Sequence, residues 1–408
     1  MNANIFKTAF AALALLVVFN SCKEDKTKYL IEVTYDSEQG TVTGGGEYEE
    51  GEKATFTAIA NPGYCFERWV GDYKSEDSVL TITVTANKSL SAIFSKIESS
   101  EYGSVKITIS ESGTYYLYEA KPNENCYLLK WSDGSYELSK KVDVSAGENL
   151  TATFKPYPEG SIHALFFVSP TKRVIFSKGY LQFNPSLGTH TRADGTTAPG
   201  TWRFAENQTN MINSDLNVSA TYDGWIDDFA WGTSGWSGSG ATYYRPYDGY
   251  NSDDISEIPD SVGKLYGPQG EYDLTGDYAY ADWGVYNPIS NGGDKPGMWR
   301  TLTRDEFKSF LCTYYIEKYF RCLNGFVFYS GDYPLKDNEV INTPNDLSNY
   351  NNLVYLINQT FKDHWTANYS GEVSASAVGV STMLNSNMGW SYKRFSRLPV
   401  RLVMDVEE

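Results

Sequence analysis

The sequence has few of the residues that most often bind metals or carry out catalysis. Its 408 residues include only 5 cysteines and 3 histidines. The cysteines form no Cys-x-x-Cys pair and the histidines stand far from them, so the sequence gives little support for a zinc site. It also contains no Asp-x-Asp-x-Asp-Gly loop of the kind that binds calcium. We therefore expect neither a metal site nor another cofactor.

The sequence contains no recognisable catalytic constellation. His163, His190 and His364 lie in unrelated contexts, and a Gly-x-Ser-x-Gly nucleophile elbow is missing. Glycoside hydrolysis needs two carboxylates at a set separation, and the runs Asp227-Asp228 and Asp253-Asp254 contain suitable groups. Such pairs are expected anyway among 51 acidic residues. We expect a non-catalytic protein, and the alternative is an enzyme that acts on surface glycans.

Positive charge is also scarce. The 34 lysines and arginines are outnumbered by the acidic residues, which gives a net charge of -17. This charge would repel nucleic acid and anionic lipid surfaces. The apolar run near the N-terminus is too short to span a membrane, and no later segment is long enough to do so. We expect no nucleic-acid partner, and contact with a membrane only through a covalent lipid.

The N-terminal apolar run, residues 9–19, follows Lys7 and has the length of a signal-peptide core. We expect residues 1–21 to be a signal peptide. The pair Ser21-Cys22 resembles a lipobox, where signal peptidase II cuts and the cysteine receives its lipid, and residues 22–29 would form a tether. The resemblance implies that the lipid on Cys22 holds the protein on a membrane.

The residues after Cys22 resemble an export signal. Lys23-Glu24-Asp25 resembles the export signal that sends lipoproteins of the Bacteroidetes to the outer face of the outer membrane. The resemblance implies a lipid-anchored outer-membrane protein that faces the cell exterior. The alternative interpretation of this charged segment is a solvated tether.

The abundant residues indicate a mainly β protein. The sequence contains 32 tyrosines, 20 phenylalanines, 10 tryptophans and 35 glycines, a composition typical of aromatic-rich strands joined by glycine turns. Two tandem repeats of about 60 residues follow the tether. Pro62 and Phe94 of the first recur as Pro122 and Phe154 of the second, each offset by 60 residues.

Each repeat alternates apolar and polar residues with period two, over residues 31–35 and 81–85 in the first and residues 105–109 in the second. This alternation predicts strands there and a small antiparallel β domain with one buried face for each repeat. We assign residues 30–96 and 97–157 to these domains. Trp69 and Trp131 are expected in the two cores, and the alternative is that they are exposed binding aromatics. The repeats resemble the divergent internalin B-type repeat, which has a Gly-x-Val opening, a Pro-Gly-Tyr-x-Phe-x-x-Trp centre and a Thr-Ala-x-Phe ending. The first repeat matches almost throughout, and the second lacks the Gly-Tyr of the centre.

Residues 158–408 form the last predicted domain. Thr303 and Glu306 form a capping box that predicts a helix ending near Phe320, and the pattern of residues 348–364 predicts a second helix. An alternating strand is expected over residues 398–405. The domain also contains several short tryptophan-rich motifs: Trp202-Arg203-Phe204-Ala205, Phe229-Ala230-Trp231-Gly232, Asp282-Trp283-Gly284 and Trp299-Arg300-Thr301-Leu302-Thr303.

These motifs resemble a family of Bacteroidetes surface lipoproteins that is similar to the major-paralogous-domain proteins. The resemblance spans roughly residues 164 to 404 and implies a mixed α+β, C-type-lectin-like fold with two helices. It implies little about function, because a shared scaffold carries many activities on its loops.

The cysteines after Cys22 fall into two pairs. Cys312 and Cys322 are close in sequence and are candidates for a disulfide, in a compartment where disulfides can form. Cys312 is expected on the helix face near Phe307 and Leu311. Cys65 and Cys126 hold equivalent places in successive repeats, so we expect buried thiols in separate cores.

A glycine-rich stretch from residue 222 to residue 250 carries the candidate ligand-binding residues. Its flat aromatic rings are suited to stacking on sugars or anchoring a protein interface, and we select Trp236, Tyr243, Tyr244 and Tyr247. The alternative is that these rings pack beneath a long insertion. Trp225 and Trp231 belong to the family-like motifs and are expected in the core.

The sequence as a whole predicts a surface lipoprotein that binds a glycan or a host or surface protein, with the repeats as a spacer. The alternatives are a glycan-acting surface enzyme and a structural component of a surface assembly.

Overall fold

The computed structural model describes residues 26–147, 149–212, 222–250, 258–315, 319–322, 325–329, 353–357, 364–371, 374–378, 390–394 and 396–406. The fold is mainly β, as predicted. The chain divides into two compact units, Met1–Pro156 and Tyr157–Glu408. The predicted signal peptide, Cys22, and the export signal Lys23, Glu24 and Asp25 lie outside the described residues. Within the described part of the chain, no helix is long and apolar enough to cross a membrane.

The first unit is built from short strands. They are β1 Lys28–Thr34, β2 Gly40–Thr43, β3 Gly46–Glu49, β4 Lys53–Ala60, β5 Tyr64–Gly71, β6 Val79–Thr83, β7 Lys88–Ser99, β8 Gly103–Ile109, β9 Tyr115–Pro122, β10 Cys126–Trp131, β11 Ser139–Asp143 and β12 Ala152–Pro156, with a 3-10 turn at Val144–Ala146. The period-two pattern therefore predicted β1, β6 and β8 at the right places.

Strand β7 joins the two repeats into one sheet. This strand of 12 residues pairs with β1 and β5 of the first repeat. Its last residues, from Lys96 to Ser99, pair with β8 of the second repeat. The sheet follows the order β11-β9-β8-β7-β1-β3, while β2-β4-β6 and β10-β12 form smaller sheets. The repeats keep separate hydrophobic clusters but share this backbone framework.

The two repeats have the same arrangement around their central tryptophans. Trp69 is 0% exposed and Trp131 1% exposed, so both lie in the cores, as predicted. The Trp69 indole Nε1 donates to the backbone oxygen of Asp77 at 3.0 Å. Trp131 donates in the same way to the oxygen of Glu137 at 2.7 Å. Each ring thus fills the core of its repeat, and its hydrogen bond stabilises the turn that follows the strand.

The second unit combines small sheets with short helices. Its strands are β13 Phe166–Phe167, β14 Arg173–Phe176, β15 Leu181–Thr191, β16 Thr197–Phe204, β17 Asp228–Phe229, β18 Arg300–Thr301, β19 Tyr319–Cys322, β20 Gly325–Tyr329, β21 Leu353–Ile357, β22 His364–Gly371, β23 Ser374–Val378, β24 Trp390–Lys393, β25 Leu398–Pro399 and β26 Leu402–Asp405. The helices are α1 Trp283–Tyr286 and α2 Arg304–Tyr315, with 3-10 segments at Ser237–Ser239, Asp260–Leu265 and Gly276–Ala281.

Three strand pairs of this unit, β14-β26, β18-β26 and β17-β25, join partners distant in sequence, whereas the other described pairs join consecutive strands. Strand β26 lies between β14 and β18 in the sheet β13-β14-β26-β18. The other groupings are β15-β16, β17-β25, β19-β20-β21 and β22-β23-β24. The strand predicted over residues 398–405 is therefore present as β25 and β26, which belong to different sheets and are separated by Val400 and Arg401.

The capping box predicted the start of α2 correctly. The Glu306 backbone N donates to Thr303 Oγ1 at 3.2 Å, and the Thr303 backbone N donates to Glu306 Oε2 at 2.9 Å. Phe307 and Tyr314 are buried on one face. The helix ends at Tyr315 and not near Phe320, because the chain forms β19 from Tyr319 onward.

The prediction of a second helix over residues 348–364 is wrong for residues 353–357, which the structure describes. Residues Leu353–Ile357 form β21, which pairs antiparallel with β20. Val354 and Leu356 are both 0% exposed, which is the period-two burial of a strand. A short apolar run fits helix and strand equally well by pattern, and here pairing with β20 decides it.

The cysteines differ from the prediction in their burial. Cys65 and Cys126 are half-buried, and neither forms a disulfide in the described part of the chain. Burial raises the pKa of the Cys65 thiol. Cys312 is exposed on α2 and does not share the apolar face, so that part of the prediction is wrong. The side chain of Cys322 lies outside the described residues, and the Cys312–Cys322 disulfide stays a prediction.

Candidate binding site

Five aromatic rings of the second unit form a continuous series of contacts, which we call the aromatic row: Tyr272, Tyr278, Trp236, Tyr280 and Tyr286. Tyr272 stacks on Tyr278 with centroids 4.6 Å apart. Trp236 meets the edges of Tyr278 and Tyr280 at 6.4 and 5.9 Å. Tyr280 lies 5.3 Å from Tyr286. One tryptophan thus joins two tyrosine pairs.

Exposure changes along the aromatic row. Tyr272 is 50% exposed, whereas Tyr286 is only 2% exposed. Trp236, Tyr278 and Tyr280 are half-buried. The row therefore runs from the surface into the unit, with its inner end fixed and its outer rings open to solvent.

The loop that carries Trp236 is held by close backbone packing. Gly232 has a φ of +74°, a conformation that residues with a side chain rarely adopt. A Cβ atom there would lie 2.6 Å from the Cα of Gly267. Glycine is therefore required where the two loops cross, just after the buried Trp231 and just before Trp236.

Two buried polar side chains connect the segments of the row. Ser234 Oγ donates to the backbone oxygen of Tyr280 at 2.6 Å and accepts from the Trp236 backbone N at 3.3 Å. Asn287 Nδ2 donates to the backbone oxygens of Ser234 and Trp283 at 2.9 and 3.0 Å. These bonds set the spacing between the Trp236 loop and the tyrosines that flank it.

The inner end of the row is fixed by α1. Asp282 caps this helix by accepting from the backbone N of Gly284 at 3.0 Å, and it also accepts from Thr301 at 2.8 Å. Burial raises the pKa of Asp282, against the lowering effect of these bonds. The Tyr286 hydroxyl donates to Asp194 at 2.9 Å, and Arg192 lies over the Tyr286 ring with its guanidinium carbon 5.3 Å from the centroid.

The outer end is fixed by groups that come from β22 and from the loop after β24. Asp273 accepts from the Tyr369 backbone N at 2.8 Å and from Asn368 Nδ2 at 2.9 Å. Arg394, which is 0% exposed, donates to the backbone oxygens of Pro268 and Gly270 at 2.7 and 2.8 Å. The loop leading to Tyr272 therefore depends on residues that are 95 to 126 positions away in sequence.

The structure brings one of the four predicted binding residues into the row. Trp236 is its centre, but Tyr243 stacks on the buried Tyr266 at 5.0 Å. Tyr247 packs partly against the core, 5.0 Å from the Arg245 guanidinium. Tyr244 is half-buried, and its backbone oxygen accepts from Gly235 N at 2.7 Å. Tyr243 and Tyr247 thus resemble the loop-packing alternative.

The other two tryptophans of this stretch differ from each other. Trp231 is fully buried, as predicted. Trp225 is half-buried, with the Arg203 guanidinium carbon 3.7 Å from its ring centroid, so its assignment to the core is wrong.

Sequence reasoning missed four members of the row, Tyr272, Tyr278, Tyr280 and Tyr286. A signal was available in Gly276-Asp277-Tyr278-Ala279-Tyr280, where closely spaced tyrosines follow a glycine. This segment contains no tryptophan and lies outside the glycine-rich stretch of residues 222–250.

Of the two carboxylate pairs that are candidates for glycoside hydrolysis, the structure describes only Asp227 and Asp228. Asp227 and Asp228 are 0% and 2% exposed, and an Asp227 oxygen accepts from the Ile212 backbone N. Their burial does not suit contact with a polymeric substrate. Asp253 and Asp254 lie outside the described residues. Among the residues that the structure describes, no group of three or more His, Cys, Asp or Glu side chains is arranged to hold a metal ion.

Comparison with known families identifies the first repeat. Residues 31–98 match the family model of the divergent InlB B-repeat domain. The repeat part of the sequence-based resemblance is therefore confirmed, and the match indicates a surface or repeat module. Neither the curated proteins nor the solved structures contain a match to this chain.

Proposed function

We propose that this chain is a cell-surface lipoprotein that binds a glycan or a protein ligand without transforming it. In this proposal the lipid is on Cys22, and Lys23-Glu24-Asp25 directs the protein to the exterior of the outer membrane. The repeats follow in the chain and serve as a spacer. The second unit carries the ligand-binding surface.

The aromatic row is the single observation that most supports binding. Tyrosine and tryptophan rings offer large flat faces with a polar edge, and they are enriched where proteins contact ligands and partners. Tyr272 exposes half of its surface, and its stacking on Tyr278 continues inward to Trp236. A ligand that covers Tyr272 therefore rests on rings that are already ordered.

Preorganisation also favours this site over the other aromatics. Ser234, Asn287 and Arg394 are buried and hold the loops that carry the row. Side chains that are already immobilised lose less conformational entropy when a ligand binds.

The proposal is tested by a screen of glycans and host matrix proteins with the chain from Lys23 onward, which contains every described residue. We expect saturable binding without release of product, and loss of that binding in Trp236→Ala. Steady product release from a glycan would favour a surface enzyme instead. Self-association without any ligand would favour a structural component of a surface assembly.

A further inference from the structure

A polar cavity of about 360 Å³ lies in the second unit, and none of the aromatic-row residues lines it. Its wall includes three threonines, a serine and an aspartate: Thr189, Thr191, Thr201, Ser290 and Asp294. Ligand pockets in proteins range from about 300 to 1,000 Å³, so this one suits a small molecule.

The cavity is formed by two firmly positioned segments. The β15-β16 hairpin supplies the threonines, and the turn after α1 supplies Ser290 and Asp294. Ser290 donates to the Trp202 backbone oxygen from both its backbone N and its Oγ, each at 2.9 Å. Asp294 has a φ of +51°, and its backbone N donates to the Ile289 oxygen at 3.0 Å. The carboxylate is thus presented from a tight turn.

His190 forms part of the wall, and both of its ring nitrogens lie close to accepting oxygens, of which a neutral ring can donate to only one. Its Nδ1 lies 2.8 Å from the Gly200 oxygen and its Nε2 3.1 Å from Asn287 Oδ1. Burial lowers the pKa of His190, which favours the neutral ring at neutral pH. Among the described residues no lysine or arginine lines the cavity. The cavity therefore lacks the cation that an anionic ligand would need.

The Trp202 side chain lies beneath this wall. It is 1% exposed and packs against Phe183 and Phe229, so its indole N–H is not available to a ligand in the cavity.

We propose that this cavity binds a single neutral sugar ring, a hexopyranose, independently of the aromatic row. The Ser290 and Thr201 hydroxyls donate to the backbone oxygens of Trp202 and Leu187, so they can accept from the hydroxyls of a sugar. The Thr189 and Thr191 hydroxyls can both donate to a sugar and accept from it. The Asp294 carboxylate accepts charge-assisted hydrogen bonds from adjacent hydroxyls. One carboxylate is too few for calcium, which takes about six to eight oxygen ligands. The assignment rests on the proposed function as a binding protein, and its test separates the two sites.

The test is titration of the chain from Lys23 onward with glucose, galactose, mannose, fucose and N-acetylglucosamine, followed by calorimetry and by NMR of the backbone amides. We expect at least one sugar to bind at a single site and to shift the amide resonances of Thr189, Thr191 and Asp294, which line the cavity. Asp294→Asn should weaken this binding by about tenfold, because it removes the charged acceptor. Thr189→Val should weaken it as well, and it provides a second variant should Asp294→Asn fail to fold.

Two controls make the outcome decisive. Asp305 is an exposed aspartate of the same unit, with a side chain that is 85% accessible, and Asp305→Asn should bind the sugar like the unmodified chain. Trp236→Ala should also bind the free sugar normally, even where it abolishes binding of a larger ligand. The proposal is overturned if none of the sugars binds, or if both cavity variants bind as well as Asp305→Asn. Calcium or inorganic phosphate bound at Asp294 in place of a sugar would overturn it too.

Discussion

Arg394 lies against the face of Trp231, with its guanidinium carbon 4.8 Å from the ring centroid. Both side chains are 0% exposed. The Arg394 guanidinium is therefore buried between the Trp231 ring and the backbone oxygens of Pro268 and Gly270, in the loop that precedes Tyr272. This contact links the motif Phe229-Ala230-Trp231-Gly232 to the C-terminal part of the chain. It also supports the outer end of the aromatic row.

Replacing Arg394 by lysine should destabilise the second unit. A lysine ammonium lacks the planar fork that reaches the oxygens of Pro268 and Gly270 together, so one buried oxygen loses its donor. We expect a loss of about 2 kcal/mol in the free energy of unfolding, measured by urea denaturation. Arg304→Lys is the matched control, since the Arg304 side chain is 42% accessible. Equal stability of the two variants would show that the Arg394 contacts are unimportant.

The repeats were the most predictable part of the fold, because local pattern determines their strands. The alternation of apolar and polar residues in the sequence specifies β1, β6 and β8. In the second unit, the capping box at Thr303 specifies the start of α2 through neighbouring residues alone. The tryptophan at each repeat centre was likewise predicted.

The aromatic row could not be predicted in the same way. Trp236 and Tyr280 meet because two loops are held by Ser234 and Asn287, and the course of the next loop depends on the distant Arg394. No local pattern encodes such contacts. The strand β21 was missed for a related reason, since its pairing partner β20 is not recognisable from the run itself.

The stability of the second unit should depend on the ionisation of Glu306. Burial by itself would raise the pKa of Glu306, but hydrogen bonds and charge from Arg300 outweigh it and lower the pKa to about 2. Arg300 donates to both carboxylate oxygens, at 2.7 and 2.8 Å. The unfolded chain therefore takes up this proton first, near pH 4.5, and the stabilisation is lost as the pH falls from there towards 2.

Glu306→Gln tests this dependence. We expect the variant to be less stable than the unmodified chain by about 2 kcal/mol at pH 7, with the difference shrinking as the pH is lowered below 4.5. Chemical denaturation at a series of pH values measures it. Asp305→Asn, next in the sequence but exposed, should show no such trend. A difference that stays constant down to pH 2 would contradict the assigned ion pair.

The shared strand β7 predicts that the two repeats unfold together. Trp69→Phe removes the hydrogen bond to Asp77 and leaves a gap in the first core, which should cost about 2 kcal/mol. Because β7 pairs with strands of both repeats, amide hydrogen exchange should accelerate in β8 and β9 as well as in β4 and β5. Faster exchange restricted to the first repeat would indicate independent folding.

Membrane attachment should depend on Cys22 alone among the cysteines. In a Bacteroidetes host, Cys22→Ala should move the protein from the membrane fraction to the soluble fraction, because the lipid is lost. Cys65→Ala is the control and should remain attached. Protease treatment of intact cells should cleave the unmodified protein if it faces the exterior. A Cys22→Ala protein that stays with the membrane would contradict the anchor.

The most direct test of the central claim measures ligand affinity at the aromatic row. With the best ligand from the screen, calorimetry should give at least a tenfold weaker affinity, about 1.4 kcal/mol or more, for Trp236→Ala and Tyr278→Ala. Tyr243→Ala, which alters a tyrosine stacked elsewhere on Tyr266, should bind within about twofold of the unmodified chain. The opposite order, with affinity lost in Tyr243→Ala and retained in both row variants, would contradict the assignment of the row as the binding surface.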